Sequence, residues 1–176
     1  MTTAEATSQL FFVYRGVGRT DACGESIYWR KGDYLVLPAH GQAMHCSEGE
    51  ARLYWVHDTP LLRYLGVSPS VERFKPTLFE FSKAETKLES IANDPVNSKA
   101  NRVSVLLANK NFPQTRTVTH TLWAMFGLLP AGKIQYPHRH ESVALDFVVD
   151  CKNLRTLEIT FSHPGHDHTA HISQMP

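Results

Sequence analysis

Residues 132–149 read GKIQYPHRHESVALDFVV and place His138 and His140 just ahead of a run rich in Val, Leu and Phe. In an extended strand alternate side chains leave from the same face, so this spacing predicts that both imidazoles project together while Arg139 points away. Neutral imidazole is a suitable ligand for Fe, Zn, Cu, Mn or Ni, and two such donors on one strand commonly begin a metal site. The motif therefore predicts a pair of nitrogen ligands for a metal ion. The alternative is a solvated histidine pair that arises by chance, because the chain has 10 histidines.

The composition narrows the classes of protein to which the chain can belong. Its 176 residues suffice for one ordinary domain or for two small ones. The net charge of +1 gives no electrostatic reason to expect nucleic acid or an anionic membrane as a partner. The 3 cysteines have no CxxC spacing, which indicates reduced thiols and a cytoplasmic location rather than a disulfide framework or zinc ribbon. The start of the chain lacks the features of a signal peptide, and no segment is long enough to span a bilayer.

Over residues 10–56 the sequence consists of short apolar runs separated by turn residues. This pattern is typical of antiparallel β-structure. Turns are predicted at residues 21–25, with Gly24 available for a positive φ, and at residues 31–33. Pro38 is predicted to end the strand that begins at Tyr34, because proline cannot donate a sheet hydrogen bond.

Residues 68–102 have a different character and are predicted to form a linker with one helix. Ser82 and Glu85 have the spacing of a capping box, and the helical apolar spacing that follows ends at Asp94 and the next proline. A shorter helix, closed by Gly66, is predicted just before the linker.

Strand patterns return after the linker, at residues 103–107 and 117–129. Only one helix has any length, and turn signals dominate the sequence on both sides of it. A β-sandwich or barrel is therefore favoured over a parallel α/β sheet.

Two blocks of the sequence resemble the cupin superfamily, and within it bicupins of the gentisate 1,2-dioxygenase kind. In the block with the histidine pair, Gly132 is followed by five residues and then His-x-His, and residues 144–145 stand where the broader superfamily has a glutamate. In residues 14–45 a Gly-Asp pair opens a strand that a proline closes, as in the second half of a cupin barrel. The resemblance implies a mostly β fold, a cupin-type jelly-roll barrel or sandwich in two incomplete halves joined by a helical linker.

The same resemblance implies a metal site whose ligands are His138, His140 and His45, with Fe(II) as the cofactor. His45 stands seven residues after Pro38, whereas the commonest family spacing is five. In such relatives a histidine at the longer spacing often belongs to a barrel without metal. His45 is therefore either the third metal ligand or a residue of a barrel that holds no metal.

Further ligands are also conceivable outside these three histidines. Asp146 shares a strand face with the histidine pair if the strand alternation continues. The histidine-rich tail of residues 162–171 either donates an imidazole or is a mobile, solvated terminus. His40 and His57 are predicted to be turn and surface residues.

The resemblance divides the chain into three parts. Residues 1–67 correspond to the second half of a cupin barrel, residues 68–102 to the linker, and residues 103–176 to the first half of a second barrel with a histidine-rich tail. We interpret the chain as a truncated or internally deleted bicupin. Its halves are expected to combine into one permuted barrel, or to pair with a second copy through open strand edges as a homo-oligomer.

The function implied by the resemblance is that of a non-haem Fe(II) dioxygenase, which cleaves the ring of a small hydroxylated aromatic and has reduced or lost activity where ligands are missing. Such chemistry needs open metal positions for substrate and O2. Trp123, Phe126 and Tyr136 either line an apolar pocket or belong to the core. The alternative to a dioxygenase is a non-catalytic cupin that binds a small molecule or a partner subunit. A third hypothesis is another metal-cupin activity, such as an isomerase or decarboxylase, because fold does not settle function.

Overall fold

The computed structural model describes residues 4–39, 42–135 and 146–149, together with the backbone of residues 157–163 and 166–172. The chain divides into two compact units, Met1–Arg139 and His140–Pro176. In the described residues the chain is mostly β, and every strand pair is antiparallel, as the sequence predicted. None of the sheets formed by these residues closes into a barrel.

The first unit contains nine of the described strands and both helices. In chain order they are β1 (Ser8–Arg15), β2 (Val17–Ala22), β3 (Glu25–Arg30), β4 (Tyr34–Pro38), β5 (Ala43–Ser47), β6 (Arg52–His57), α1 (Thr59–Leu65), β7 (Thr77–Phe79), α2 (Phe81–Ala92), a short 3-10 helix (Pro95–Asn97), β8 (Val103–Leu106) and β9 (Met125–Leu128). The second unit contains β10 (Leu157–His163) and β11 (His166–Ile172).

Two sheets of the first unit face each other across an apolar core. The larger has the strand order β6-β1-β4-β7, and the smaller has the order β3-β2-β5. Alternate residues of their strands point into the shared core, as expected for a pleated sheet with one covered face. The buried members of this core are Phe11, Val13, Ala22, Trp29, Leu35, Leu37 and Ala43.

The opposite face of the larger sheet is covered as well. Phe12 of β1 contacts Tyr34 of β4, with ring centroids 4.9 Å apart. Tyr34 contacts Phe126 of β9 at 5.2 Å, and Phe126 contacts Phe81 of α2 at 5.0 Å. Burial on both faces explains why β1 is a continuous apolar run rather than an alternating one.

Two predicted turns are confirmed by the backbone. Cys23 and Gly24, between β2 and β3, have φ values of 51° and 77°. Positive φ at both central residues is typical of a type I′ hairpin turn, whose twist matches that of the flanking strands. Gly32, between β3 and β4, has a φ of 94°. Pro38 is the last residue of β4, also as predicted.

Gly32 and Asp33 join the larger sheet to α2. The Asp33 carboxylate accepts hydrogen bonds from the backbone N–H groups of Arg30, at 3.0 Å, and of Phe81, at 2.9 Å. Phe81 is the first residue of α2, so an acceptor distant in sequence satisfies one of the helix's N-terminal donors. A Cβ on Gly32 would lie 2.7 Å from Phe81 Cγ, which leaves room only for glycine.

Residues 68–102 contain the predicted helix and also β7, which pairs with β4 in the larger sheet. The predicted capping box is wrong, because α2 begins at Phe81 after the N-cap residue Glu80, so that Ser82 already lies inside the helix. The shorter predicted helix is confirmed as α1, and Gly66 closes it with a left-handed φ of 66°.

The strand predicted over residues 117–129 is confirmed only in its last part, β9. The buried side chain of Asn109 donates to the Val118 carbonyl and to Thr77 Oγ1, both at 3.3 Å. Thr119 Oγ1 accepts a hydrogen bond from the backbone N–H of Leu122 at 3.0 Å. Side-chain bonds of this kind compete with sheet pairing, and residues 117–124 form bends and irregular chain in place of a strand.

In the second unit, β10 and β11 form an antiparallel hairpin in which Leu157 pairs with Ile172 and His163 pairs with His166. The histidine-rich tail, for which a solvated terminus was one alternative, belongs to this hairpin over most of its length.

Candidate functional site

Of the three predicted metal ligands, the structure describes only His45. His138 and His140 lie outside the described residues, so their shared strand face stays a prediction. His45 lies in β5, opposite Thr20 of β2, on the face of the smaller sheet that points toward the core. Tyr136 and His40 also lie outside the described residues.

His45 is half-buried and held on two sides. Its ring centroid lies 4.8 Å from that of Phe11, and its Nδ1 lies 2.8 Å from Thr20 Oγ1. The same hydroxyl oxygen accepts a hydrogen bond from Trp29 Nε1 at 2.8 Å. Burial lowers the pKa of His45 below its ordinary value, which favours the neutral ring. Three strands therefore contribute to a short polar chain, Trp29–Thr20–His45, beside the apolar core.

Other aromatic side chains continue from this chain along the larger sheet. Phe11 and Trp55 are stacked, with centroids 5.7 Å apart and an interplanar angle of 8°. Trp55 contacts His57 at 4.5 Å. His57 is half-buried, and its Nδ1 accepts a hydrogen bond from the backbone N–H of Thr59. The prediction of a surface position for His57 is therefore wrong, and alternation along β6 was the signal that could have corrected it.

A groove of about 550 Å³ opens beside Trp29. This volume lies within the range of small-molecule sites. Trp29 and Tyr28 offer aromatic surface, while Arg19 and Arg30 offer hydrogen-bond donors. The remaining lining residues are Val17, Gly18, Asp33, Cys46, Ser47, Glu48, Leu78 and Glu80. Both arginines, together with the carboxylates of Glu48 and Glu80, give the groove donors and acceptors for a polar aromatic molecule.

The cations of the groove differ in their partners. Arg19 forms an ion pair with Asp21 at 3.0 Å. No ion pair within 4.0 Å is found for Arg30 in the described part of the chain. The Lys83 ammonium, 2.5 Å from Glu80, lowers the pKa of that carboxyl. The Arg30 guanidinium is therefore the lining cation best placed to take an oxygen of a bound molecule.

A metal site is not assembled by the residues that the structure describes. Among them no group of three or more His, Cys, Asp or Glu side chains is placed to hold an ion. Asp146, the carboxylate alternative, is exposed and does not lie in a strand. Among the described residues, Cys23 and Cys46 are free thiols on the surface.

Trp123 and Phe126, the other two aromatic residues predicted to line a pocket or to belong to the core, differ in burial. Phe126 is buried between Tyr34 and Phe81 and belongs to the core. Trp123 is 64% exposed. Neither lines the groove beside Trp29.

Comparisons with known proteins assign no family to the chain. No protein-family model matches the sequence, and no curated protein matches it significantly. A search for helices that could cross a bilayer found none among the described residues.

Proposed function

We propose that this protein is a cupin-type module that binds a small hydroxylated aromatic molecule without turning it over. The observation that carries the proposal is the contact of His45 Nδ1 with Thr20 Oγ1, an oxygen that already accepts from Trp29 Nε1 and so has its own hydrogen to donate to Nδ1. A metal-binding histidine instead donates its second nitrogen's proton to an orienting acceptor. Without His45, only His138 and His140 remain of the proposed triad, and two imidazoles alone would hold Fe(II) weakly.

The groove beside Trp29 supports an aromatic ligand. The exposed ring of Tyr28 offers a stacking surface, and the Arg30 guanidinium can donate to a phenolate or carboxylate oxygen. The carboxylates of Glu48 and Glu80 can accept from ring hydroxyls. The ligand class is therefore the same as that of the ring-cleaving dioxygenases which the sequence resembles.

The second candidate is the dioxygenase itself, and the His138-Arg-His140 motif favours it. In that case Fe(II) would bind the aromatic and O2 together, and the histidine pair would hold the ion. The described residues add no third ligand to this pair, so the candidate needs a donor from elsewhere.

Iron content and oxygen uptake separate the two candidates. Protein loaded anaerobically with Fe(II) and desalted should retain far less than one iron per chain, and oxygen uptake with gentisate should match the buffer rate. Stoichiometric iron that is lost in the double variant His138→Ala/His140→Ala, together with gentisate-dependent uptake, would support the enzyme and end the binding-module proposal.

Calorimetric titration with gentisate and salicylate tests the groove. Replacing Arg30 or Tyr28 by alanine should weaken binding about tenfold each, since each removes one hydrogen-bonded or stacked contact. Tyr64→Ala is the matched control, because Tyr64 is 87% exposed on α1 and does not line the groove. Equal affinities for all variants, or no binding to the native protein, would contradict the proposal.

Self-association through strand edges is a separate part of the proposal. In the described residues β3 and β5 are the edges of the smaller sheet. An unpaired edge offers backbone donors and acceptors to another strand. Sedimentation over a range of concentrations should show a dimer that Ile27→Pro in β3 dissociates, whereas a monomer at all concentrations would refute edge pairing.

A further inference from the structure

We infer that Thr20 fixes the tautomer of His45, so that His45 acts as a hydrogen-bond donor through Nε2 and not as a metal ligand. The inference deepens the proposed function by excluding His45 as the third ligand of an iron site. Its link to a binding module without iron rests on the proposed function, whereas the tautomer itself rests on the hydrogen bonds alone.

The direction of the hydrogen bonds follows from Trp29. An indole nitrogen can only donate, so Trp29 Nε1 must give its proton to Thr20 Oγ1. The hydroxyl oxygen then keeps its own hydrogen and one further lone pair. Thr20 is fully buried, and His45 Nδ1 is its second side-chain partner, at 2.8 Å.

Two arrangements satisfy the distance between Thr20 and His45. If His45 Nδ1 donated, the Thr20 hydrogen would be left without an acceptor in a site closed to water. A buried donor without a partner disfavours that arrangement by roughly tenfold or more. If Thr20 donates to Nδ1 instead, all three polar groups are satisfied. The second arrangement requires the neutral ring to carry its proton on Nε2.

The tautomer decides what His45 can bind. With Nδ1 accepting from Thr20 and Nε2 protonated, neither nitrogen offers a lone pair to a cation. The Nε2–H group can only donate, so its partner must be an acceptor such as a carboxylate, phenolate or carbonyl oxygen. This polarity disagrees with His45 as the third ligand of an iron site.

Nitrogen-15 NMR of the full-length protein tests the tautomer directly. At a pH well above the histidine titration, long-range proton–nitrogen correlations should show an unprotonated Nδ1 and a protonated Nε2 for His45, whose signals are assigned by their loss in His45→Gln. Thr20→Val should give a mixture of both tautomers, and Thr20→Ser should restore the native pattern. A protonated Nδ1 in the native protein, or native spectra for Thr20→Val, would overturn the inference.

A second variant covers the case in which Thr20→Val fails to fold. Thr20→Ala removes the same hydroxyl with a smaller side chain, so the mixture should appear there as well. Fe(II) retention adds a readout that a structural role alone does not move. His45→Gln and the native protein should both retain far less than one iron per chain, whereas iron that the native protein retains and His45→Gln loses would overturn the inference. Absence of aromatic binding with the predicted tautomer would refute the proposed function instead.

Discussion

The sandwich region, residues 8–79, and the hairpin region, residues 103–135, belong to one compact unit but use their apolar residues differently. In the sandwich region β1 has strand neighbours on both sides and covered faces above and below, so that Phe11 is 2% exposed. In the hairpin region β8 and β9 form only a two-stranded sheet. Several of its large apolar side chains stay exposed, namely Leu106, Trp123, Leu128, Leu129 and Ile134.

This contrast shows that apolar content does not determine a core by itself. A two-stranded sheet has too few neighbours to bury both of its faces and is at best marginally stable alone. β8 and β9 bury one face on the larger sheet, through Phe126, and leave apolar side chains on the solvent side. Stability should therefore reside in the sandwich region, and substitutions in the two regions should have unequal effects.

The largest difference is expected between Phe11→Ala and Trp123→Ala. Phe11 contacts both His45 and Trp55, and its loss should lower the free energy of unfolding by about 3–5 kcal/mol because a cavity remains. Trp123 is 64% exposed, so its replacement should cost less than about 1 kcal/mol. Urea unfolding followed by circular dichroism measures both values. Similar losses would show that the hairpin region contributes a core of its own.

Gly32→Ala should have the next largest effect. The added Cβ would lie 2.7 Å from Phe81 Cγ at a φ of 94°, so strain and overpacking should together cost about 2–4 kcal/mol. Gly24→Ala is the matched control, because its φ is also positive and nothing lies within 4 Å of the added atom. The control should lose only the strain, about 1 kcal/mol. Equal losses of stability in thermal unfolding of the two variants would mean that Phe81 moves away from the added Cβ without an energetic penalty.

Features of the sandwich region that depend on one residue or on residues adjacent in sequence could be predicted from the sequence. The turn at Gly24 and the end of β4 at Pro38 follow from the backbone preferences of single residues. The strand predicted over residues 117–129 forms only in its last part, because side-chain bonds of Asn109 and Thr119 outweigh the β-propensity of the threonines.

The candidate site depends on contacts between residues far apart in the chain, which explains why less of it could be predicted. Thr20 and His45 are separated by 25 residues, and Asp33 and Phe81 by 48. No local pattern encodes such pairs. The inward position of His45 on a strand was nevertheless implied by the family resemblance, and its partner Thr20 was not.

Asp33→Asn tests how strongly the sandwich region holds α2. An amide oxygen replaces only one of the two acceptor atoms that bind the N–H groups of Arg30 and Phe81, so stability should fall by about 1–2 kcal/mol. Asp94→Asn is the control, since Asp94 is exposed and asparagine caps the 3-10 helix equally well. Differential scanning calorimetry should detect the first change and not the second. Equal midpoints would remove Asp33 as the residue that joins the larger sheet to α2.

The smallest expected effect is a pH dependence that originates in the sandwich region. Burial lowers the pKa of His45 in the folded state, whereas the unfolded chain binds the proton near pH 6.5. The unfolded state therefore holds more protons as the pH falls through this value, and stability should decrease below about pH 6.5 and be unaffected above it. Urea midpoints at pH 7.5 and 5.5 should differ less in His45→Gln than in the native protein.

His120 is the control in the hairpin region. It is exposed, and partial burial also lowers its pKa. The change that His120→Gln causes in the pH dependence can therefore be compared with the change that His45→Gln causes. A pH dependence that His45→Gln leaves unchanged, and that His120→Gln abolishes, would place the titrating group in the hairpin region instead.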